Sequence, residues 1–296
     1  MGMKRLTIFT PTYNRAYILP QLYDSLCEQT CQDFEWLIVD DGSTDNTKGL
    51  VEGWINEKKI PVRYVSQENG GKMRAYNRAV GLAVGDLFVC IDSDDILASE
   101  TVVADSLQFW DQYSKEKSDK PLAGMVSFRI SPNGKGFVHV KEGFEVKSSE
   151  DIFSMYTGEH TDFIRTEILK NYPYPVFEGE KFTTDVYIFR QMDEKYNFLL
   201  HPYYSQICQY HDDGYTKNYR RILFDNPKGY RELHSLLIRL KRPGYWRSVI
   251  CYISISLFIH DHSLFSKADN LPLTIFLYPF GCLKYLYDRI MLIKDR

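Results

Sequence analysis

Four short strand-like runs within the first 91 residues each stop at a segment rich in acids, hydroxyls or glycine. The runs are Leu6–Phe9, Phe34–Asp41 ("FEWLIVDD"), Val62–Gln67 ("VRYVSQ") and Leu87–Ile91 ("LFVCI"). Between them apolar residues recur at helical spacing. Ile18, Leu19, Leu22 and Leu26 predict one helix ending near Gln29, and Leu50, Val51, Trp54 and Ile55 predict a second. "KMRAYNRAVGLA" after Gly70 and Gly71 predicts a third. Strand–helix alternation of this kind builds a mostly parallel sheet with helices on its faces, an α/β architecture. Near-continuous apolar strands fit burial on both faces. Ligands of such sheets bind beyond the carboxyl ends of the strands. Those ends here read "TPTYNR", "DDGSTD", "QENGGK" and "DSDD".

The last of these segments gathers Asp92, Asp94 and Asp95 around Ser93. Like charges at close range raise one another's pKa unless a positive group sits among them. A divalent cation is the natural partner, because hard cations take carboxylate oxygens. A solvated turn that also caps the following helix is the alternative.

In order and spacing, "FTPTYNRAYILPQLYDSLCEQT", "FEWLIVDDGSTDNT", "VSQENGGKMRAYNRAV" and "GDLFVCIDSDD" resemble the family-2 glycosyltransferases of GT-A fold. The resemblance implies a catalytic domain over residues 1–225, with a nucleotide-binding half (1–100) and an acceptor half (101–225), and a helical region over 226–296. It implies an inverting, metal-dependent transfer from a nucleoside-diphosphate sugar, a UDP-sugar first, to a glycan or lipid-linked acceptor. Thr10, Pro11 and Tyr13 would form the first-strand loop against the nucleobase. Asp41 would read the base edge while Asp40 supports the loop, and Lys72 would lie near the nucleotide. Asp92, Ser93 and Asp94 match the DxD-type signature that contacts ribose and Mn2+ or Mg2+, with Asp95 extending it. Asp45 and Asn46 fit helix capping, and Arg15, Arg74 and Arg78 fit exposed helix positions.

The reaction also needs a base for the acceptor hydroxyl. In "YPYPVFEGEKFTTDVYIFRQM" the family places an acid at a helix start, and Asp185 stands just before Val186, Ile188, Phe189 and Met192. The sequence has "TTD" where the family more often has Glu-Asp or Pro-Glu, so Glu180 and Glu178 stay as runners-up. A plain helix N-terminal acid is the alternative for Asp185. His211 in "YHDDGYTKN" is a further candidate metal or diphosphate ligand, better placed than His201 or His160, with Tyr215 and Thr216 beside it on a loop.

After Asn226 the chain turns helical, apolar and basic. Neither apolar run reaches the roughly 20 residues of a spanning helix, and Pro272, Pro279 and Gly281 interrupt the second. Short apolar faces flanked by Arg242, Arg247, Lys284, Arg289 and Lys294 fit helices lying in a membrane interface. A subdomain packing on the core or on another subunit of a homo-oligomer is the alternative. Six scattered cysteines form no zinc or disulfide pattern, and the apolar run before Pro11 is too short for a secretory signal, so a cytoplasmic chain is expected, at the inner face of the cell membrane if the C-terminal helices meet lipid. A net charge of −3 argues against bulk electrostatic binding to nucleic acid and leaves local basic patches open. Two rival readings are a sugar-phosphate nucleotidyltransferase and a silent nucleotide-binding or membrane scaffold. The first would need a glycine-rich basic loop where "TPTYNR" stands, and the acids Asp41, Asp92, Asp94 and Asp185 oppose the second. No G-x-G-x-x-G follows the first strand, which argues against a dinucleotide-binding dehydrogenase.

Overall fold

The computed structural model describes residues 4–133, 145–156, 159–208, 219–242 and 244–294. The first half follows the alternation expected: β1 (Leu6–Thr12), α1 (Leu19–Cys27), β2 (Phe34–Asp40), α2 (Thr47–Glu57), β3 (Val62–Ser66), α3 (Lys72–Leu82) and β4 (Leu87–Cys90). β1 pairs in parallel with both β2 and β4, and β2 in parallel with β3. The chain therefore winds outward from β1 to β3, then returns to lay β4 on the other side of β1. That reversal makes the β1/β4 edge a switch point, where open α/β sheets leave a crevice.

Side-chain alternation sorts the two faces of these strands. Leu6, Ile8, Trp36, Ile38, Leu87 and Val89 share one buried cluster with Leu19, Leu22, Leu26, Val51 and Trp54 of α1 and α2. Phe9 and Phe88 stack 5.6 Å apart and meet Tyr76 of α3 edge-on at 5.7 and 5.3 Å. Burying both faces explains why these strands are mostly apolar, and the buried Glu35 is met by Thr7 Oγ1 and Arg63, each at 2.7 Å.

β1 runs past the expected stop at Phe9 and carries Pro11 inside the strand. β4 pairs only as far as Phe9↔Cys90, whereas β2 stays in register to Thr12↔Asp40. Beyond Phe9 the β1 strand is thus an edge, where a residue without an N–H is tolerated.

The rest of the sheet comes from β5 (Ile96–Leu97), β6 (Leu122–Ile130), β7 (Glu145–Lys147), β8 (His160–Arg165) and β9 (Asn197–Ile207). Interspersed are α4 (Val102–Tyr113), α5 (Ser149–Met155), α6 (Thr166–Leu169) and α7 (Val186–Met192). The strand order is β3-β2-β1-β4-β8-β6-β9-β5, with β7 beside β9 and β8 antiparallel to both β4 and β6. Asp193, after α7, accepts from the amide and hydroxyl of Ser149 at 2.6 and 2.8 Å, which ties the start of α5 to that turn.

The described residues fall into two compact units, one within Met1–Pro173 and Ile188–Tyr210, the other within Tyr174–Tyr187 and His211–Arg296. This division differs from the expected 225/226 boundary, because the segment before α7 and α8 (Tyr219–Asp225) group with the C-terminal helices α9 (Pro227–Arg239), α10 (Tyr245–Phe258) and α11 (Leu271–Lys294). Val249, Tyr252, Ile253, Leu264 and Leu277 form that unit's core. α11 crosses α10 closely at Gly281, where a Cβ would stand 2.3 Å from the Cγ2 of Ile253. Asp288 is buried there, receiving Ser254 Oγ at 2.7 Å and Lys284 Nζ at 2.8 Å.

Pro279 does not break α11 as the sequence had implied; the helix continues through it for 24 residues. The amide hydrogen that Pro279 lacks would have reached the carbonyl of Ile275, and both residues are exposed, so that acceptor is open to water. No helix among the described residues is long and apolar enough to cross a membrane.

Candidate active site

The ends of β1, β2, β3 and β4 lie along one edge of the first unit, and backbone bonds continue the ladder a residue further. Asp41 N donates to Thr12 O at 2.8 Å, Gln67 N to Asp40 O at 2.9 Å and Ile91 N to Phe9 O at 2.9 Å. The four polar loops are thereby brought together.

Asp40 and Asp41 do different work. Asp40 accepts from Ser43 N at 2.7 Å and from the Tyr64 hydroxyl at 2.5 Å, so it supports the loop, as expected. Asp41 takes three hydrogen bonds, from Gln67 Nε2 (2.7 Å) and Gly70 N (2.9 Å) on Oδ1 and from Gly71 N (2.7 Å) on Oδ2. Gly71 presents that amide with φ +92°, a conformation that other residues rarely adopt. Of about four acceptor directions in a carboxylate, one on Oδ2 remains.

On the first-strand loop, Thr10 is fully buried, and its hydroxyl accepts from Trp36 Nε1 at 2.9 Å. Its side chain is committed to the core and only its backbone is left for a ligand. Pro11 is half-buried, while the Tyr13 ring is 48% exposed and offers a flat face. Asn14 takes φ +53° and receives Thr44 N at 2.7 Å, locking the first loop to the second. Asp45 accepts from Thr47 N at 3.0 Å and from Ala16 N at 3.0 Å. It therefore ties down the start of α2, whereas Asn46, the formal cap, makes no side-chain cap bond. Arg74 and Arg78 donate to the carbonyls of Gly70 and Ser66 at 2.7 and 2.9 Å, and Arg15 to the Tyr17 hydroxyl at 2.6 Å.

After β4 the three acids separate. Asp92 pairs with Lys72 at 2.7 Å, joining two residues expected to serve the nucleotide separately. Burial works against its charge, but Lys72, Arg129 and Arg15 outweigh that and hold its carboxyl below the usual range. Asp94 and the buried Ser93 form the turn. Asp95, expected to extend the metal set, is instead enclosed at 5% exposure. Its Oδ2 receives Gln206 Nε2 at 2.6 Å and lies 3.5 Å from Arg129, which also meets Glu159 at 3.1 Å. Burial pushes the Asp95 carboxyl up to about 7 against the pull of Arg129, and Asp92 and Asp94 add to the rise. Such crowding of negative charge fits a cation at this turn. Asp92 and Asp94 would hold it. Two carboxylates are what Mg2+ or Mn2+ usually takes from protein when substrate phosphates fill further positions. Among the described residues no three His, Cys, Asp or Glu side chains form a closed metal cage.

In the second unit the runners-up part company. Glu180 is buried, and its two oxygens accept from Lys228 N at 2.8 Å and Gly229 N at 2.9 Å. These are first-turn amides of α9, which have no partner within the helix, so Glu180 caps α9 from a distance in sequence. Asn226 reciprocates by accepting from Lys181 N at 2.7 Å and Phe182 N at 3.0 Å. Glu178 is exposed, and so is Asp185, directly ahead of α7. His211, Tyr215 and Thr216 lie outside the described residues. His201 and His160 belong to β9 and β8, and burial draws both down to about 4.

Comparison with known proteins finds a family similarity over the first part of the chain. The model for glycosyl transferase family 2 matches residues 7–116, the stretch that carries all four loops. Over that stretch the chain is similar to glycosyl transferase family 2. Poly(ribitol-phosphate) β-N-acetylglucosaminyltransferase TarS of Staphylococcus aureus is 30% identical over 176 residues, covering 57% of this chain and 29% of TarS. Glycosyltransferase GlyG of Streptococcus pneumoniae is 33% identical over 157 residues, covering 52% of this chain and 50% of GlyG. The chain thus spans half or less of the length of these relatives.

Solved structures agree on the GT-A fold. S. aureus TarS 1–349 in complex with UDP-GlcNAc matches with a TM-score of 0.63 at 20% identity, over 94% of this chain and 78% of that one. The mannosyltransferase PcManGT from Pyrobaculum calidifontis, in complex with GDP-Man and Mn2+, matches with a TM-score of 0.56 at 18% identity, over 98% and 84% of the two chains.

Around the family-2 loops the structure adds residues that sequence reading missed. Arg129 and Gln206 hold Asp95 from β6 and β9, 34 and 111 positions along the chain. Nothing local marks them, since an Arg or Gln inside an apolar strand reads as a pattern break. The Gly70–Gly71 amides were the more accessible signal, because two glycines after a strand expose backbone donors.

Proposed function

We propose that this chain is an inverting, metal-dependent glycosyltransferase. It moves a sugar from a nucleoside-diphosphate sugar, a UDP-sugar first, to a hydroxyl of a glycan or lipid-linked glycan. One observation carries the reading: at the β1/β4 switch point the Asp92–Lys72 pair and the Asp41–Gly71 clamp meet within the segment that matches family 2. The UDP-GlcNAc complex of TarS and the GDP-Man and Mn2+ complex of PcManGT support a nucleotide-sugar donor and a divalent cation.

The roles follow from the chemistry of each group. Tyr13 offers a ring face on which a base can stack. The remaining acceptor direction of Asp41 suits the N3–H of uracil, whereas cytosine has no proton there. A divalent cation, Mn2+ or Mg2+, held by Asp92 and Asp94, would neutralise charge on the departing diphosphate. Lys72 adds positive charge beside it and keeps Asp92 ionised. Asp185 accepts the proton of the attacking hydroxyl, a role open to an exposed carboxylate and closed to one whose oxygens both serve as a helix cap. Nucleotide sugars and six cysteines without disulfides fit the cytoplasm, and a lipid-linked acceptor fits the inner face of the membrane.

The test is a transfer assay over UDP- and GDP-sugars with glycan acceptors and Mn2+. Transfer from a UDP-sugar, lost in Asp185→Asn, is the expected outcome. Hydrolysis or transfer with none of the donors would contradict the reading.

A further inference from the structure

The open side of α11 is apolar along its whole length. Ile275, Phe276, Phe280, Leu283, Ile290 and Ile293 are each between 53% and 72% exposed. At their spacing they share one side of the helix, opposite the buried Thr274, Leu277, Gly281 and Asp288. Twenty-four residues make a strip about 36 Å long. A helix that is apolar on its packed and its open sides is covered by something further, and a patch of this extent marks an interaction surface.

Charge identifies what covers it. Residues 226–296 hold eleven Lys and Arg against five Asp and Glu, a net charge of +6, whereas residues 1–225 carry −9. Among the described residues of the helical segment, each acid is drawn into an ion pair: Glu232 and Asp269 with Arg239, Asp261 with Arg231, and Asp288 with Lys284. The exposed charges of α11 are Arg289 and Lys294, both cationic. At the start of α10 the Arg247 guanidinium lies 5.2 Å from the ring centre of Trp246, which is 47% exposed. An indole beside a cation suits the polar boundary of a bilayer. A second copy docked through the same helical face would bring the same cations, its acids already held in ion pairs. An anionic lipid surface satisfies the apolar strip and the cations together.

We propose that the outer face of α11 docks in the headgroup boundary of an anionic bilayer, with its apolar residues among the upper acyl chains and Arg289 and Lys294 against lipid phosphates. The helix lies along the surface and does not cross it. The proposal rests on the membrane-side placement above and not on the transfer chemistry, so the two fail separately.

Sedimentation of the full chain with vesicles tests it. The chain is expected to sediment with phosphatidylglycerol–phosphatidylcholine vesicles, less with phosphatidylcholine alone, and less again at high salt. Replacing Phe276, Phe280, Leu283 and Ile290 together by Ser should weaken partitioning roughly a hundredfold or more, because four large apolar groups lose their insertion. Arg289→Glu with Lys294→Glu should weaken binding to the anionic vesicles by about tenfold or more and leave the neutral ones unaffected. These side chains are exposed, so the melting temperature of both variants should stay near that of the wild type. Wild type that ignores anionic vesicles, or a four-serine variant that binds them equally, would overturn the proposal. So would a wild-type dimer that the four-serine variant turns into a monomer, because a second copy would then be the occupant. UDP binding measured on the same preparations separates the outcomes: vesicle binding without UDP binding removes the transferase reading alone.

Discussion

Glu180→Gln separates a structural carboxylate from a catalytic one. Both oxygens of Glu180 hold first-turn amides of α9, at 2.8 and 2.9 Å. Glutamine keeps one acceptor and turns an NH2 towards the other amide, leaving a buried donor unpaired. A lost charge-assisted bond, an unsatisfied N–H and a weakened dipole interaction together cost about 3 kcal/mol. In a protein of this size that lowers the melting temperature by about 5 °C. Calorimetry should register the drop, while transfer measured well below melting should stay within about twofold of wild type, since no charge at the reacting centre has changed. Asp185→Asn should behave in the opposite way. Its side chain is exposed, so melting should barely move, while transfer falls by roughly a hundredfold or more. If Glu180→Gln melts like wild type and loses transfer to that extent, Glu180 is the base and the cap is incidental.

Lys72→Met removes the cation that does most to keep Asp92 ionised, so the Asp92 carboxyl should titrate at higher pH. The acid limb of the pH–activity profile should therefore move upward, and an unmoved limb would disconnect the pair from turnover. His201 is drawn from 6.5 to about 4 by burial, between Phe109 at 3.8 Å and Tyr203 at 5.2 Å. Between those two pH values the unfolded chain binds a proton that the folded one does not, so stability falls as pH drops through that window. His201→Phe should remove up to about 3 kcal/mol of that acid sensitivity. Melting curves from pH 7 to pH 4 check this, and parallel wild-type and variant profiles would refute it.

The strand ends were legible because parallel strands buried on both faces are mostly apolar, and clusters of acids and glycines begin only where they leave the sheet. Asp41, Asp92 and Lys72 could thus be placed at one edge from their position after apolar runs or a glycine pair. Their mutual bonding was not legible. That Lys72 meets Asp92, and that Asp41 clamps the Gly70–Gly71 amides, depends on how four loops converge. The sheet's second half was less readable, since β6, β8 and β9 pair across long sequence separations and their polar residues face one another inside the fold. The cap made by Glu180 was hidden for a related reason: local sequence cannot tell that the amides it holds lie 48 and 49 positions later. Pro279 misled because a proline is a helix breaker by default, and only burial reveals that the carbonyl it leaves unpaired faces water.

Titration calorimetry of UDP into the full chain, with and without MnCl2, tests the central claim most directly. The account predicts metal-dependent binding that Asp94→Asn abolishes, because that change removes charge from the cation's site and alters volume little, while Asp185→Asn binds like wild type. Binding that survives chelation and is unchanged in Asp94→Asn, or no binding of any nucleoside diphosphate, would contradict it.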